Sequence, residues 1–273
     1  MNNQTRPELA VVIPVYQDLD GATASLRSLQ SATWPTPGVV ILVDDGSDPP
    51  LGIVPVQWLP LNVRVERLEP NEVIAAALNA GLRIARQLGV SFIARLDAGD
   101  TIDKERLSKQ MAVMAADPNV GLVASDVDFV GEDGDLLFRF VAPQTDEGIR
   151  RRMHVNACLI HPAVMIRSIV LDQIGNYSTE FPTAEDYDLF FRILAVSKAA
   201  SIPEPLTRTV VTLGGISLKR RRTQLSSRLR IQARYFDAQR LSSFWGIAVT
   251  LLLFAIPTAV VRMLKRHLRV SRY

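Results

Sequence analysis

Apolar and polar positions fall into blocks along the first 140 or so residues, and the blocks have two periods. Short apolar runs bounded by turn residues read as buried strands: 9–16 (LAVVIPVY), 39–48 (VVILVDDGSD, ending in a turn) and 91–97 (SFIARLD). A shorter alternating run, 63–68 (VRVERL), reads the same way. Helical spacing occupies 22–32, 72–89 and 103–116. Gly89 closes the second of these helices. The third carries acidic residues in its first turn, where the helix dipole favours them. Strands are expected at 120–130 and 136–141, on either side of the turn GEDGD. The pattern then loosens: a helix is expected over 145–154, a strand-like run over 159–167 and a helix over 184–197. Strands alternating with helices predict an α/β fold, a Rossmann-like, mostly parallel sheet with helices on both faces. Ligands of such folds lie at the carboxyl ends of the strands.

The last fifth of the chain has another character. Residues 244–261 (FWGIAVTLLLFAIPTAVV) run 18 positions without a charge, interrupted by Pro257. That is at the lower limit for a membrane-spanning helix. Basic clusters flank it at 219–222 (KRRR) and 262–269 (RMLKRHLR). A single span would put one cluster on the disfavoured side of the membrane. An in-plane or re-entrant helix on the cytoplasmic face of the cell membrane is therefore the expectation, with a single span as the alternative. A core helix explains the apolar run but not the flanking charges. The domain boundary falls after Leu218, giving a catalytic-type α/β body over 1–218 and a basic, apolar helical tail over 219–273.

Composition sharpens this division. The net charge of +3 conceals 13 Lys and Arg against one acid, Asp237, in 219–273, and 18 basic against 27 acidic side chains in 1–218. A +12 tail on a −9 body points to an anionic membrane surface. Nucleic acid is not the expected partner, since it leaves the apolar segment unexplained and no binding motif is present. One cysteine, Cys158, excludes an intramolecular disulfide and suits a reducing compartment. No signal peptide is expected from the N-terminus.

The candidate chemistry sits where the strands end. The first strand ends in Pro14, Val15 and Tyr16, the second in Asp44, Asp45, Gly46 and Ser47, and the strand before position 98 in Asp97 and Asp100. Parallel strands would gather these carboxylates on one sheet edge, where they repel unless a cation or donor groups intervene. A hard divalent ion with oxygen ligands is an economical answer. No G-x-G-x-x-G follows the first strand and no P-loop is present, so the usual phosphate cradles are missing. A diphosphate held through a metal at Asp97, with Asp44 or Asp45 on a base or ribose and Tyr16 stacked on the base, fits the same edge. Each piece also has an ordinary reading. DDGS is a common turn, DAGD serves as a turn and helix cap, and Glu185 and Asp186 are favoured at a helix start without any function.

Six stretches in order, VVIPVYQ, ILVDDGSD, AAALNAGL, FIARLDAGD, HPAVMIR and AEDYDLFFRI, resemble a family 2 glycosyltransferase of GT-A fold over roughly residues 9–225. The resemblance implies an inverting enzyme using a nucleotide-diphosphate sugar and a divalent cation, Mn²⁺ or Mg²⁺. By the same resemblance Pro14 and Tyr16 line the nucleotide pocket, Asp45 with Asp44 contacts the base, and Asp97 lies near the sugar diphosphate. Asp97 and Asp100 would hold the metal, and Asp186 would be the catalytic base. Segment 214–224 is similar to the family's closing segment, so Arg221, Arg222 and Gln224 would close over phosphates; a lipid-facing basic patch explains them equally. His161 stands near the acceptor or is structural. One departure is plain: the family's usual Asp-Ala-Asp-Asp has Gly99 at its third position, which implies a looser metal requirement. The implied acceptor is a saccharide or polyprenyl-linked saccharide in cell-surface polysaccharide synthesis. The alternative is a catalytically impaired nucleotide-sugar-binding protein.

Overall fold

A computed structural model describes residues 6–53, 55–58, 60–211 and 221–256. Nine strands form one sheet: β1 (Leu9–Val15), β2 (Gly38–Asp44), β3 (Val63–Arg67), β4 (Phe92–Arg95), β5 (Thr101–Ile102), β6 (Val120–Val130), β7 (Leu136–Phe140), β8 (Met165–Arg167) and β9 (Lys198–Val210). The order is β3-β2-β1-β4-β8-β6-β9-β5, with β7 on β6. Around the sheet lie α1 (Leu19–Gln30), α2 (Ile74–Leu88), α3 (Arg106–Ala116), α4 (Asp146–Met153), α5 (Ser168–Ile174) and α6 (Glu185–Val196).

The first half matches the sequence pattern. Strands β3, β2, β1 and β4 are parallel neighbours. Successive residues of β1 and β2 enter opposite faces, as a pleated strand buried on both sides requires. Ala10, Val12, Ile41 and Val43 join the core under α2 and α6, while Leu9, Val11, Ile13, Val40 and Leu42 join the one under α1 and α3. Helix α2 approaches β1 closely at Gly81, where an added Cβ would stand 2.4 Å from Val12 Cγ1. Gly89 caps α2 in the left-handed conformation, φ 66°.

The second half corrects the expectation of a mostly parallel sheet. Pairs β4–β8, β8–β6, β6–β7 and β9–β5 are antiparallel, and only β6–β9 is parallel. The sheet is mixed because three-residue β8 comes up between β4 and β6 against their direction. The longest strand, β9, lies where no strand is expected. Pro203 and Pro205 argue against one, since proline removes a ladder donor. The prolines are tolerated because β5 pairs only with Thr207 and Arg208, leaving β9 an edge strand beside them, and the β6–β9 register shifts at Ser125/Asp126.

Two helices follow, α7 (Arg221–Arg234) and α8 (Leu241–Ala255). Helix α7 joins the body: Ile231 is fully buried in the α2/α6 core, and Ser227 Oγ donates to the Pro182 carbonyl at 2.9 Å. The apolar helix expected over 244–261 starts earlier and stops at Ala255, with Ile256 as its C-cap; residues 257–261 and the basic run 262–269 lie outside the described residues. Among the described residues no helix is long and apolar enough to cross a membrane.

Candidate active site

The carboxyl edge of the parallel strands forms the crevice, and its floor is set by register. Val15 lies beside Asp44 and Asp44 beside Arg67, whereas β4 stops level with Val12. The chain after Arg95 is thus free to turn along the edge. Backbone bonds tie the strand ends together, with Asp45 N donating to the Val15 carbonyl and Leu68 N to the Asp44 carbonyl, each at 2.8 Å. Gln17 is held in the left-handed region, φ 51°, its N–H on Ser47 Oγ at 2.8 Å. This leaves Tyr16 half exposed at the crevice mouth, beside Pro14 on β1.

The two aspartates after β2 differ. The buried Asp44 carboxylate takes Arg67 Nη1 at 2.8 Å and Ser47 N at 2.9 Å, so its first task is to hold the loop. Asp45 accepts from Glu72 N and Asn71 Nδ2, each at 3.2 Å. Burial raises its carboxyl above the usual range, opposed by the bond from Glu72 N. Asp45 is therefore the better placed of the two to trade a weak protein bond for an N–H of a base.

The stretch 97–100 is a turn with Asp100 N on the Asp97 carbonyl at 3.1 Å and Gly99 at φ 89°. Positive φ at the third position of such a turn selects glycine, which supplies a backbone reason for the departure at Gly99. Space is not the reason, since an added Cβ would meet nothing nearer than Asp18 Oδ2 at 3.8 Å. Ser25 of α1 fixes the turn by donating to the Asp100 carbonyl at 2.7 Å and accepting from Gly99 N at 3.1 Å. Asp97 projects into the crevice with 41% of its side chain exposed, paired with the buried Arg95. Asp100 turns inward to Thr209 Oγ1 at 3.0 Å, and burial with the nearby Asp97 pushes it up to about 8.

Asp186 stands in the first turn of α6, accepting from Tyr187 N at 2.8 Å. Protein surrounds it, although a path to solvent remains. Burial, the adjacent Glu185 and Asp97 push it up to about 7. Asp97 and Asp186, 89 positions apart in sequence, thus feel one another in one crevice. A neutral pair, His161 Nε2 and Tyr177 Oη, bonds at 2.7 Å nearby. Burial holds His161 well below its usual value and raises Tyr177, which also feels Arg95, Asp186, Glu185 and Asp97. Asn79 clamps Tyr177 with two backbone bonds of 2.9 and 3.0 Å, tying α2 to the loop before α6.

The expected set is thus only partly assembled. Pro14, Tyr16, Asp44 and Asp45 lie together at the carboxyl edge of β1 and β2, and Asp97 and Asp186 are near enough for their charges to interact. Arg221 is engaged elsewhere: its guanidinium donates to the Leu253 and Ile256 carbonyls at the end of α8. Arg222 and Gln224 are exposed on α7, and among the described residues no hydrogen bond or ion pair joins any of the three to the crevice. Residues 214–220 of the expected closing segment lie outside the described residues. Arg95, Ser25, Asn79 and Tyr177 are not singled out by the sequence pattern: Ser25 and Asn79 act on backbone atoms far along the chain, Tyr177 on the His161 ring, and Arg95 on the Asp97 carboxylate two positions on. Asn79 and Arg95 lie within stretches that carry the resemblance, AAALNAGL and FIARLDAGD.

No group of three His, Cys, Asp or Glu side chains able to hold a metal ion exists among the described residues. Asp97 offers one carboxylate and Asp100 faces Thr209. The chain alone makes no closed cage; Asp97 fits a cation that a diphosphate also ligates, the mode in which Mg²⁺ keeps waters and substrate oxygens.

Comparison with known proteins decides the family. The family model described as Glycosyl transferase family 2 matches residues 10–175, more than half of the chain. The chain belongs to glycosyl transferase family 2. An uncharacterized glycosyltransferase of Methanocaldococcus jannaschii is 25% identical over 194 residues, covering 70% of this chain and 66% of its own length. The chain therefore spans just under two thirds of that relative. Among solved structures, Staphylococcus aureus TarS 1–349 in complex with UDP-GlcNAc superposes with a TM-score of 0.67 at 20% identity, over 89% of this chain and 71% of that one. A mannosyltransferase of Pyrobaculum calidifontis in complex with GDP-Man and Mn²⁺ gives 0.63 at 17% identity, over 98% and 81%. These likenesses show that this family 2 chain has the same GT-A-like fold.

Proposed function

We propose that this family 2 glycosyltransferase moves a sugar from a nucleoside-diphosphate sugar to a saccharide hydroxyl, free or polyprenyl-linked, with inversion, in cell-surface polysaccharide synthesis. The observation that carries the reading is the shared crevice of Asp97 and Asp186, with Asp186 raised to about 7. A base is most effective with a pKa near the working pH. Ionised Asp186 takes the proton from the acceptor hydroxyl as its oxygen bonds to the anomeric carbon. The bond from that carbon to the diphosphate oxygen breaks on the opposite side, and the nucleoside diphosphate leaves with the electron pair. Asp45 and Tyr16 hold the nucleotide, and Arg95 keeps the Asp97 carboxylate oriented beneath the donor. A divalent cation held by Asp97 with the diphosphate would neutralise charge on the leaving group. UDP-GlcNAc and GDP-Man, bound in the two solved structures of like fold, are the first to try as donors.

Proton NMR of the first product formed tests the reading. An anomeric configuration opposite to that of the donor supports it. Retained configuration removes Asp186 from the role of base, because direct displacement inverts.

A further inference from the structure

Helix α8 is built inside out. Its inward face carries Ser243, Gly246 and Thr250, all buried. Ser243 Oγ bonds His154 Nδ1 at 3.0 Å, Thr250 Oγ1 donates to Gln232 Oε1 at 2.8 Å, and Gln232 Nε2 donates to the Val155 carbonyl at 3.0 Å. At Gly246 the backbones approach so closely that an added Cβ would stand 1.9 Å from the His154 carbonyl oxygen. The outward face is apolar: Leu241 is 86% exposed, Trp245 and Leu252 64%, Phe244 53% and Leu251 51%. Phe236, in the preceding turn, packs edge-on against Phe244 and extends the patch. A water-facing helix has the opposite arrangement.

We infer that the outward face of α8 lies in the interfacial layer of an anionic lipid bilayer, with the helix parallel to the membrane plane. Length excludes a crossing by this helix, which has 15 residues. Charge selects the occupant. Residues 219–273 carry a net +12, so a second copy meeting the same face would bring two strongly cationic segments together, as a two-fold contact demands. Anionic headgroups neutralise that charge, and a tryptophan among leucines and phenylalanines suits the headgroup boundary. The polar inward contacts anchor the helix to the body, so docking orients the whole molecule. The docking stands independently of the reaction proposed above.

Vesicle flotation of the full chain tests this, with phosphatidylcholine alone and with added phosphatidylglycerol. The chain is expected to float with anionic vesicles, less with neutral ones, and less again as salt is raised. Trp245→Glu combined with Leu252→Glu should lower the bound fraction at least about tenfold without lowering the melting temperature, since neither side chain packs in the core. Failure of the unaltered chain to float overturns the inference, as does equal flotation of the double variant. Light scattering that finds a lipid-free dimer, made monomeric by the double variant, would assign the face to a second copy and overturn it too.

Discussion

Asp186 is in tension with the fold that holds it. A carboxyl raised to about 7 is protonated in the folded chain at pH values where the unfolded chain ionises it. The native state then binds more protons, so stability falls as pH rises from about 4 towards 7. Asp186→Asn removes this penalty: its melting temperature should exceed that of the unaltered chain by a few degrees at pH 8 and match it near pH 4. Activity runs the other way, because the base works only when ionised. The value of kcat/KM should rise with pH and level off above about 7, and a pH profile with no inflection there would contradict the role. Gly99 makes a second prediction at this scale. Space is open, so Gly99→Asp costs only the backbone strain of φ 89°, about 1–2 kcal/mol. It should lower the melting temperature slightly and tighten Mn²⁺ binding measured by calorimetry. Unchanged metal affinity would show that the third position of this turn does not face the cation. Asp97, Asp100 and Asp186 are legible in the sequence because carboxylates at strand and helix ends stand out. Ser25 is not, since a serine within a helix acquires meaning only from what lies across the fold, and Arg95 is not, since nothing in the strand pattern marks it as the partner of a carboxylate two positions on.

At the scale of elements, the joints that set the crevice rest on few atoms. Asn79, through both its amide groups, and Arg86, through Asn176, tie α2 to the loop before α6. Asn79→Ala leaves the Tyr177 N–H and carbonyl without these partners, a loss of about 1–3 kcal/mol. Its effect on kcat/KM should exceed its effect on nucleotide affinity, because Tyr177 borders Asp186 and not the base pocket. Gly246→Ala drives a methyl into the His154 carbonyl and should expose the amides of α8 to hydrogen exchange, with the exchange of β1 and β2 unaltered. Periodicity reveals β1, β2 and α2 because each is long and buried in the way its pattern indicates. It misses β9, whose prolines sit at an unpaired edge, and α5, a short helix that follows the strand-like run 159–167. The parallel half of the sheet is visible from local spacing; the antiparallel half depends on where β8 inserts, which is a tertiary choice.

The whole molecule couples an acidic body to a basic helical end. Arg67 pairs with Asp44, and the counter-charge near Asp97 and Asp100 comes from Arg95 and the buried Arg106, which burial lowers to about 9. A nucleoside diphosphate arriving with a cation would add to it. UDP, GDP or dTDP with Mn²⁺ should therefore raise the melting temperature by mass action, and EDTA should reduce the shift without abolishing it, given the single exposed carboxylate at Asp97. A shift untouched by EDTA would place the cation outside this crevice. The most direct test of the central claim is the rate of nucleoside diphosphate release by Asp186→Asn, measured beside its donor affinity. The predicted result is a fall in kcat of about 10²–10⁴-fold with donor affinity retained, as loss of a general base requires. Release at the unaltered rate would show that Asp186 is a helix-start carboxylate and that the chemistry of this crevice lies elsewhere.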